Sequence, residues 1–335
     1  MSREIAARAL ELLEPPGPWR LGFFGGEPLA AWDAVASAVE LARERASRML
    51  VQVRFGLTTN GTLLSPERAR FLAEAGFSLI VSLDGPRELH DAERRSSSGG
   101  SFDAALAGLE AAASAGLARR TTLRATFPLS RPALRERLEF LNELADRGLA
   151  RAVSVEPAWP ARDEPAPLDA LRAEYREAAR WAVARLREGR TVRFHHMEKA
   201  LERVLLMRPA GSECGAGFGY LAVAPDGLVY ACHKERGEPL GDVRSGVSER
   251  ARAAWAENRW YGRQGCVRCW ARNVCGGGCR AESLEHAQGF ARPWAPACVA
   301  RRLQVRAALE VAALAPREAL SRMLQVLRAS RTAPP

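Results

Sequence analysis

The sequence has 335 residues, 47% of them hydrophobic and 26% charged, with a formal net charge of +10. Such a composition buries a core and excludes a disordered chain, and no run approaches the roughly 18 apolar residues of a membrane span. Met1-Ser2-Arg3-Glu4 opens directly into a helical pattern with no apolar signal segment, so a cytoplasmic location is expected.

The positive charge is nearly all arginine, Lys199 and Lys234 being the only lysines. The arginines are scattered and often stand beside glutamate, as in ERARFLAEAG, which favours solvated helix faces over a nucleic-acid partner. An acidic peptide substrate also suits the charge, but charge alone does not show one.

In chain order, helical and strand periodicities alternate. REIAARALELL (3–13) reads as an amphipathic helix and WRLGFF (19–24) as a short strand. A helix is expected from Leu29 to about Arg48, a strand over MLVQVRFGLTTN (49–60), and a helix capped by Ser65 and ending near Gly76. FSLIVSLDG (77–85) is a strand, Ser101 to Gly116 a helix, RTTLRATF (120–127) a strand, Pro132 to Gly148 a helix and ARAVSVEPA (150–158) a strand. The alternation predicts an α/β fold, a parallel sheet or partial barrel, with ligands at the C-terminal ends of the strands.

A Pro-rich acidic stretch (156–169) reads as a linker or rim loop. A long amphipathic helix (168–189) follows, then a strand-like TVRF (191–194) and a helix over HHMEKALERVLL (195–206). His195 and His196 are possible ligands, although a histidine pair at an element edge is more often structural. YLAVAPDGLVYACH (220–233) reads as a hairpin turning at Pro225-Asp226-Gly227, which brings Cys232 back beside Cys214. Beyond Cys298 one or two helices are expected, packed through Leu303, Val305, Leu309, Val311, Leu314 and Leu320, with a frayed tail at TAPP.

All seven cysteines follow residue 213. Cys214 and Cys232 precede the run Cys266-x2-Cys269-x5-Cys275-x3-Cys279, and Cys298 closes the set. In a reducing cytoplasm so dense a group points to metal or redox chemistry rather than disulfides, and an odd number cannot pair off. Cys-x2-Cys lets two thiolates from one tight turn reach one centre, and Gly276-Gly277-Gly278 lets the backbone pass close to a bulky group. Two zinc sites completed by His233 are one reading; two iron–sulfur clusters are the favoured one.

The seven-cysteine pattern over residues 211–300 resembles the SPASM domain of radical S-adenosylmethionine (SAM) enzymes. The resemblance implies that Cys214, Cys232 and Cys279 hold a first auxiliary [4Fe-4S] cluster and that Cys266, Cys269, Cys275 and Cys298 hold a second. Some members complete the first cluster with a further cysteine shortly after the first one; CGAGFGY offers none, so the fourth ligand is open, a non-cysteine residue, or the substrate. The organisation expected is a partial radical SAM (β/α) barrel over 1–157, missing its first strand, a Pro-rich linker and helical region over 158–210, the SPASM domain over 211–300, and helices and tail over 301–335.

FFGGEPL, TTNGT and VSLDGPRELHDAERR fall at successive strand ends and are weak signals singly. In this order they resemble the SAM-binding half of a radical SAM barrel. The resemblance implies SAM contacts from Gly25, Gly26, Glu27, Pro28, Asn60, Ser82 and Arg94, which makes chemical sense because SAM's ammonium needs an acceptor and its carboxylate an arginine. No Cys-x3-Cys-x2-Cys loop precedes GGEP in this sequence. The chain as given is therefore expected not to build the SAM-cleaving cluster alone: it is truncated, completed by a separate chain, or a degenerate homologue.

The resemblance implies an oxidoreductase of the maturase kind acting on a ribosomally made peptide or protein, with a reductant protein, and possible separate help in leader-peptide binding, as partners. Sulfatase maturases place an aspartate directly after the second cysteine of this domain; here His233 stands there, which leans towards thioether or carbon–carbon crosslinking and offers His233 as a base. The rival readings are an iron–sulfur electron-transfer or substrate-binding subunit and a zinc-binding nucleic-acid module.

Overall fold

The computed structural model describes residues 1–13, 17–96, 99–160, 167–211, 214–234, 237–257 and 260–332. Strands β1 (Trp19–Phe23), β2 (Val53–Thr59) and β3 (Phe77–Ser82) alternate with helices α1 (Arg3–Glu11), α2 (Trp32–Arg48) and α3 (Pro66–Glu74). After β3 come α4 (Arg87–Glu93), a two-residue hairpin β4 (Arg95–Ser96) and β5 (Gly99–Gly100), and α5 (Phe102–Ser114). Strand β6 (Thr121–Pro128), α6 (Leu134–Asp146) and β7 (Ala152–Ala158) complete the layer. The five long strands pair in the order β1-β2-β3-β6-β7, all parallel, so the expected α/β fold with a parallel sheet is what the chain forms.

The two faces of this sheet differ. Leu57, Leu79, Val81, Leu123, Phe127, Val153 and Val155 are buried and join the helices in one continuous core. Each such side chain contributes on the order of 1.5–3 kcal/mol on burial. The alternate positions Thr58, Ser82, Arg124, Thr126 and Glu156 are partly open and mostly polar. Sheets closed by helices on both sides carry near-continuous apolar strands. Here the period of two leaves one inner face polar, and that face carries the site.

Local chemistry explains where the sequence reading held and where it shifted. Ser65 caps α3 as expected, its Oγ accepting from the Arg68 amide at 3.2 Å. Residues 49–52, read as the start of a strand, instead close α2: the Met49 amide bonds the Arg45 carbonyl, and Leu50 turns back with φ 54°. Helix α5 starts at Phe102, with Asp91 capping the Ser101 and Phe102 amides at 2.8 and 2.9 Å. TVRF forms no strand. The Asn142 side chain takes a sheet partner's role there, accepting from the Arg193 amide and donating to its carbonyl, both at 2.9 Å.

Helices α7 (Asp169–Arg187) and α8 (His195–Leu205) follow β7; the centre of the Pro-rich stretch, residues 161–166, lies outside the described residues. The hairpin read at 220–233 is β8 (Ala222–Val223) and β9 (Leu228–Tyr230), with Asp226 capping the Leu228 amide at 3.0 Å. It extends into β10 (Gly241–Asp242) and β11 (Gly246–Val247), giving a four-stranded antiparallel sheet. Next come α9 (Glu249–Glu257), α10 (Arg272–Cys275) and α11 (Arg280–Ala287).

The last helices are α12 (Ala295–Leu314) and α13 (Arg317–Thr332). Helix α12 carries Cys298 in its first turn and runs back along α7 and α8, where Gln304 donates to the Tyr175 hydroxyl at 2.9 Å. Val305, Val311 and Leu320 are buried as expected, whereas Leu309 and Leu314 are exposed. The expected frayed tail lies largely outside the described residues. No described helix is long and apolar enough to cross a membrane.

Candidate functional site

Three strand-end loops are tied into one rim. Gly25 and Gly26 have φ of 98° and 48°, values that favour glycine, and open space where a side chain would stand. The turn delivers Glu27, whose carboxylate accepts from the Leu29 amide at 3.1 Å, the Thr59 hydroxyl at 2.7 Å and the Asn60 amide at 2.7 Å. Glu27 thus locks the end of β1 to the end of β2, and three of a carboxylate's roughly four acceptor positions are in use. Asn60 in turn accepts from the Thr62 amide and hydroxyl, and Pro28 opens the short helical turn after Glu27.

The third loop centres on Asp84, which is 2% exposed. Its carboxylate takes the Arg94 guanidinium and the Thr126 amide, while its own amide donates to His90 Nδ1. Arg137, fully buried, grips the Asp84 carbonyl, and Ser101 Oγ holds the Arg94 carbonyl at 3.0 Å. Arg94 is therefore fixed by a buried acid. Ser82 pairs in register with Arg124 across β3 and β6, so both side chains project from the inner face.

None of the seven cysteines forms a disulfide among the described residues. Cys232 lies in a small apolar cluster with Ala216, Ala231 and Ala281, against which Cys214 and Cys279 pack. Cys266 and Cys269 form the tight turn expected, the Cys269 amide bonding the Cys266 carbonyl at 3.0 Å. Gly276, Gly277 and Gly278 all have positive φ, of 70°, 94° and 71°. This run carries the chain from Cys275 to Cys279.

The electrostatic neighbourhoods sort the thiols. Burial pushes Cys298 up to about 11, with Cys275 and Cys266 adding to it. Burial raises Cys266 likewise, with Cys275 and Cys269 adding. Cys279 is pushed up to about 11 by burial, then by Glu282, with Cys214 a further contributor. Cys266, Cys269, Cys275 and Cys298 thus neighbour one another, and Cys214, Cys232 and Cys279 form the other group.

No three His, Cys, Asp or Glu side chains among the described residues stand close enough to hold a single metal ion. Tetrahedral zinc draws its sulfurs to about 3.8 Å from one another, given a Zn–S bond near 2.3 Å. A four-iron cluster puts each thiolate on a different iron and accepts a wider set.

One buried cation speaks for an anionic group here. Arg263 is 2% exposed and donates to three neutral oxygens: the Phe290 carbonyl at 2.9 Å, the Gly277 carbonyl at 2.6 Å and the Ser283 hydroxyl. Burial lowers its pKa, and Cys266, Cys298, Cys279 and Cys275 oppose that fall. A buried guanidinium needs a counter-charge. Thiolates carrying an iron–sulfur cluster supply it, so the residues fit that group.

Between the sheet's inner face and the cysteines lies a cavity of about 290 Å³, lined among others by Arg124, Glu156, His196, His233, Cys214 and Cys279. Glu156 stands 3.2 Å from His196 Nε2 and 3.6 Å from Arg124. Burial would raise its pKa, but His196, Arg124 and Arg301 hold it well below the usual carboxylate range. Arg301 donates to His196 Nδ1 at 3.1 Å, which leaves the imidazole proton on Nε2 facing Glu156. Burial keeps His196 below its ordinary range. His196 thus joins an acid to an arginine.

His233 meets Phe24 of the first strand-end loop ring to ring, tilted by 50°, with centroids 4.2 Å apart. Its pKa is lowered by burial, then by Lys234 and Arg124. Sequence reasoning missed Arg124, Glu156, Asp84, Arg263 and Arg301. The first two carried a signal: each is a charge at an inner-face position of an otherwise apolar strand.

Residues 2–141 match the family model of the Radical SAM superfamily. Among curated relatives, an uncharacterised protein of Methanothermobacter thermautotrophicus is 32% identical over 159 residues, 47% of this chain and 56% of that protein. The cysteine-type anaerobic sulfatase-maturating enzyme of Clostridium perfringens is 38% identical over 85 residues, 25% of this chain and 23% of the enzyme. The chain thus matches between about a quarter and just over half the length of these relatives. The solved structure of native anSMEcpe with bound AdoMet and Kp18Cys peptide shares the fold, with TM-score 0.76 at 18% identity over 98% of this chain and 91% of that one.

Proposed function

We propose that this chain is the substrate-binding body of a radical SAM maturase that modifies a ribosomally made peptide or protein. The observation that carries this reading is the shared cavity: polar groups of the sheet's inner face and three cysteines, Cys214, Cys275 and Cys279, line one space. A target held there lies between the SAM rim and a redox group. The peptide-bound anSMEcpe structure, alike in fold, supports a peptide as the target.

In this reading Gly25, Gly26, Glu27 and Pro28 receive the SAM ammonium, and Asn60 and Ser82 contact the rest of the molecule. Arg94 takes its carboxylate. Cys214, Cys232 and Cys279 hold one [4Fe-4S] cluster, and Cys266, Cys269, Cys275 and Cys298 hold another. When bound, SAM supplies the hydrogen-abstracting radical and the clusters accept an electron. The chain's own residues orient the target, exclude water and manage protons. His233, neutral at pH 7, faces the cavity as a base. A histidine in place of aspartate after Cys232 favours crosslink formation over formylglycine formation. The SAM-cleaving cluster belongs to a Cys-x3-Cys-x2-Cys loop that these 335 residues do not contain, and the activity is that of the protein completed by such a loop.

The test is anaerobic. The natively expressed protein, reconstituted with iron and sulfide, is given SAM, a low-potential reductant and a cysteine-containing peptide from its genomic neighbourhood. Release of 5'-deoxyadenosine with a mass loss of two hydrogens in the peptide is the expected result. Iron-replete protein that leaves SAM intact would establish the electron-transfer alternative instead, and colourless protein carrying zinc would discard both.

A further inference from the structure

On the reading above, in which the cavity seats a target peptide, its lining also selects among peptides. Five arginine and lysine side chains line it, against two carboxylates. Both carboxylates are engaged. Glu282 pairs with Lys234 at 3.5 Å, and Glu156 meets His196 at 3.2 Å and Arg124 at 3.6 Å. On the cysteine side, Lys234 lies within electrostatic reach of Cys279, and Arg203 donates to the Val274 carbonyl at 2.6 Å. Arg301 donates to His196 Nδ1 and to Gln304, both at 3.1 Å. The surplus positive charge stands at the sheet.

Arg124 is only half met there. Its in-register neighbours on the inner face are Ser82 of β3 and Ser154 of β7, neither of them an acid. It reaches Glu156 at 3.6 Å, an ion pair too long for a hydrogen bond. Burial would raise the Glu156 pKa, but His196, Arg124 and Arg301 together hold it low, so Arg124 shares that acid with two other groups. The Arg124 Nε is sealed from solvent and has no hydrogen-bond partner among the described residues. A guanidinium offers five donors in a rigid fork that matches a carboxylate, and a sealed donor left unmet is costly. The side chain nonetheless keeps 26% exposure and lines the cavity, where a ligand can meet it.

We propose that Arg124 reads a carboxylate of the target peptide, carried by an Asp or Glu side chain or by the peptide's C-terminal end. The net charge of +10 suits an acidic peptide without placing it; the unmet donors of Arg124 give the acid a place. No bond forms or breaks in this step. The carboxylate fixes which residue of the peptide comes to lie beside the cysteines, so Arg124 determines specificity. SAM's own carboxylate, in the reading above, is taken by Arg94.

The experiment uses the full chain, reconstituted anaerobically with iron and sulfide and supplied with SAM, as wild type, Arg124→Lys, Arg124→Gln and Arg124→Glu. Random-sequence peptides displayed on mRNA are selected on the wild type. The winners are resynthesised with each Asp or Glu changed to its amide, and with the C-terminus free or amidated. One such change per peptide should weaken binding to the wild type about tenfold or more and leave binding to Arg124→Gln unaltered. Which change it is tells the side chain from the chain end. Arg124→Glu should prefer Lys at that position, a reversal that a generally basic surface does not produce. Arg124→Lys should keep the acidic preference at reduced strength, and it carries the comparison where Arg124→Gln fails to fold. SAM affinity by equilibrium dialysis should be equal in all four proteins; a loss in the Arg124 variants would give Arg124 to SAM and overturn the proposal. Amide changes that weaken binding to wild type and Arg124→Gln alike, or that weaken neither, would overturn it and leave peptide binding standing. A wild type that selects no peptide would overturn the peptide reading with it.

Discussion

Phe24 and His233 meet ring to ring, tilted by 50° with centroids 4.2 Å apart. Phe24 opens the loop after β1 and His233 directly follows Cys232, so this contact couples the strand-end rim to the cysteines. Such pairs contribute about 0.5–1.5 kcal/mol beyond the area they bury. Phe24→Ala is expected to leave iron content intact, raise hydrogen exchange over residues 20–27 and lower the yield of modified peptide several-fold. Unchanged exchange and unchanged yield would show that the contact couples nothing.

On the proposed cluster assignment, Arg263 supplies a positive charge beside the cysteines that receive the electrons. Arg263→Gln removes that charge, so reduction becomes harder. At close range and an effective dielectric near 20 the loss is about 2 kcal/mol, on the order of 100 mV for one electron. Anaerobic potentiometry should find the midpoint more negative by that amount; a midpoint within experimental error of wild type would remove Arg263 from the clusters' surroundings.

Arg94 is held by Asp84, and the rigid guanidinium fork fits a carboxylate better than an ammonium does. Arg94→Lys keeps the charge and loses the fork. SAM affinity, read by equilibrium dialysis, should fall about tenfold, or 1.4 kcal/mol. Equal affinity in the two proteins would place the SAM carboxylate elsewhere.

Glu198 in the first turn of α8 makes stability depend on pH. Burial raises its pKa to about 7 from the model-compound 4.5, against the pull of Arg193 and Arg151. A carboxyl that binds its proton more tightly when folded stabilises the fold below the unfolded value and withdraws that support as pH rises through the folded one. The wild type should therefore lose up to about 3 kcal/mol between pH 4.5 and pH 7 that Glu198→Gln does not lose. Parallel denaturant melts at both pH values check this, and equal slopes for the two proteins would refute it.

Gly108 in α5 lies against the Asn60-Gly61 loop so closely that a Cβ there would fall 2.0 Å from the Gly61 carbonyl oxygen. Gly108→Ala must push α5 away from that loop, at a cost of about 1–3 kcal/mol. A lowered melting temperature is expected, accompanied by weaker SAM binding. A melting temperature equal to wild type would mean the backbone yields freely there.

The sheet was legible because hydrophobic alternation and Gly-rich strand ends are local signals. The cysteine pattern was legible because covalent spacing constrains ligand geometry. The strands β10 and β11 were not: two residues each give no period to read. Arg124 and Glu156 lie 32 positions apart, and only the register of β6 on β7, which sets Arg124 beside Ser154 and Thr126 beside Glu156, unites them in one cavity. Asp84 looked like a turn residue because Asp-Gly is a turn dipeptide. Its grip on Arg94, Thr126 and His90 needs three separate elements to arrive together. Arg263 sits in a sequence crowded with arginines, and nothing local separates it from the exposed ones.

The glycine run between Cys275 and Cys279 sets a length scale. On the proposed assignment these neighbours serve different clusters, yet they are four residues apart, a reach of at most about 14 Å along the chain. Electron tunnelling between the two centres is thereby tethered by covalent bonds rather than by packing. Loosening of the surrounding helices leaves the hop short, and a single insertion into the three glycines lengthens it.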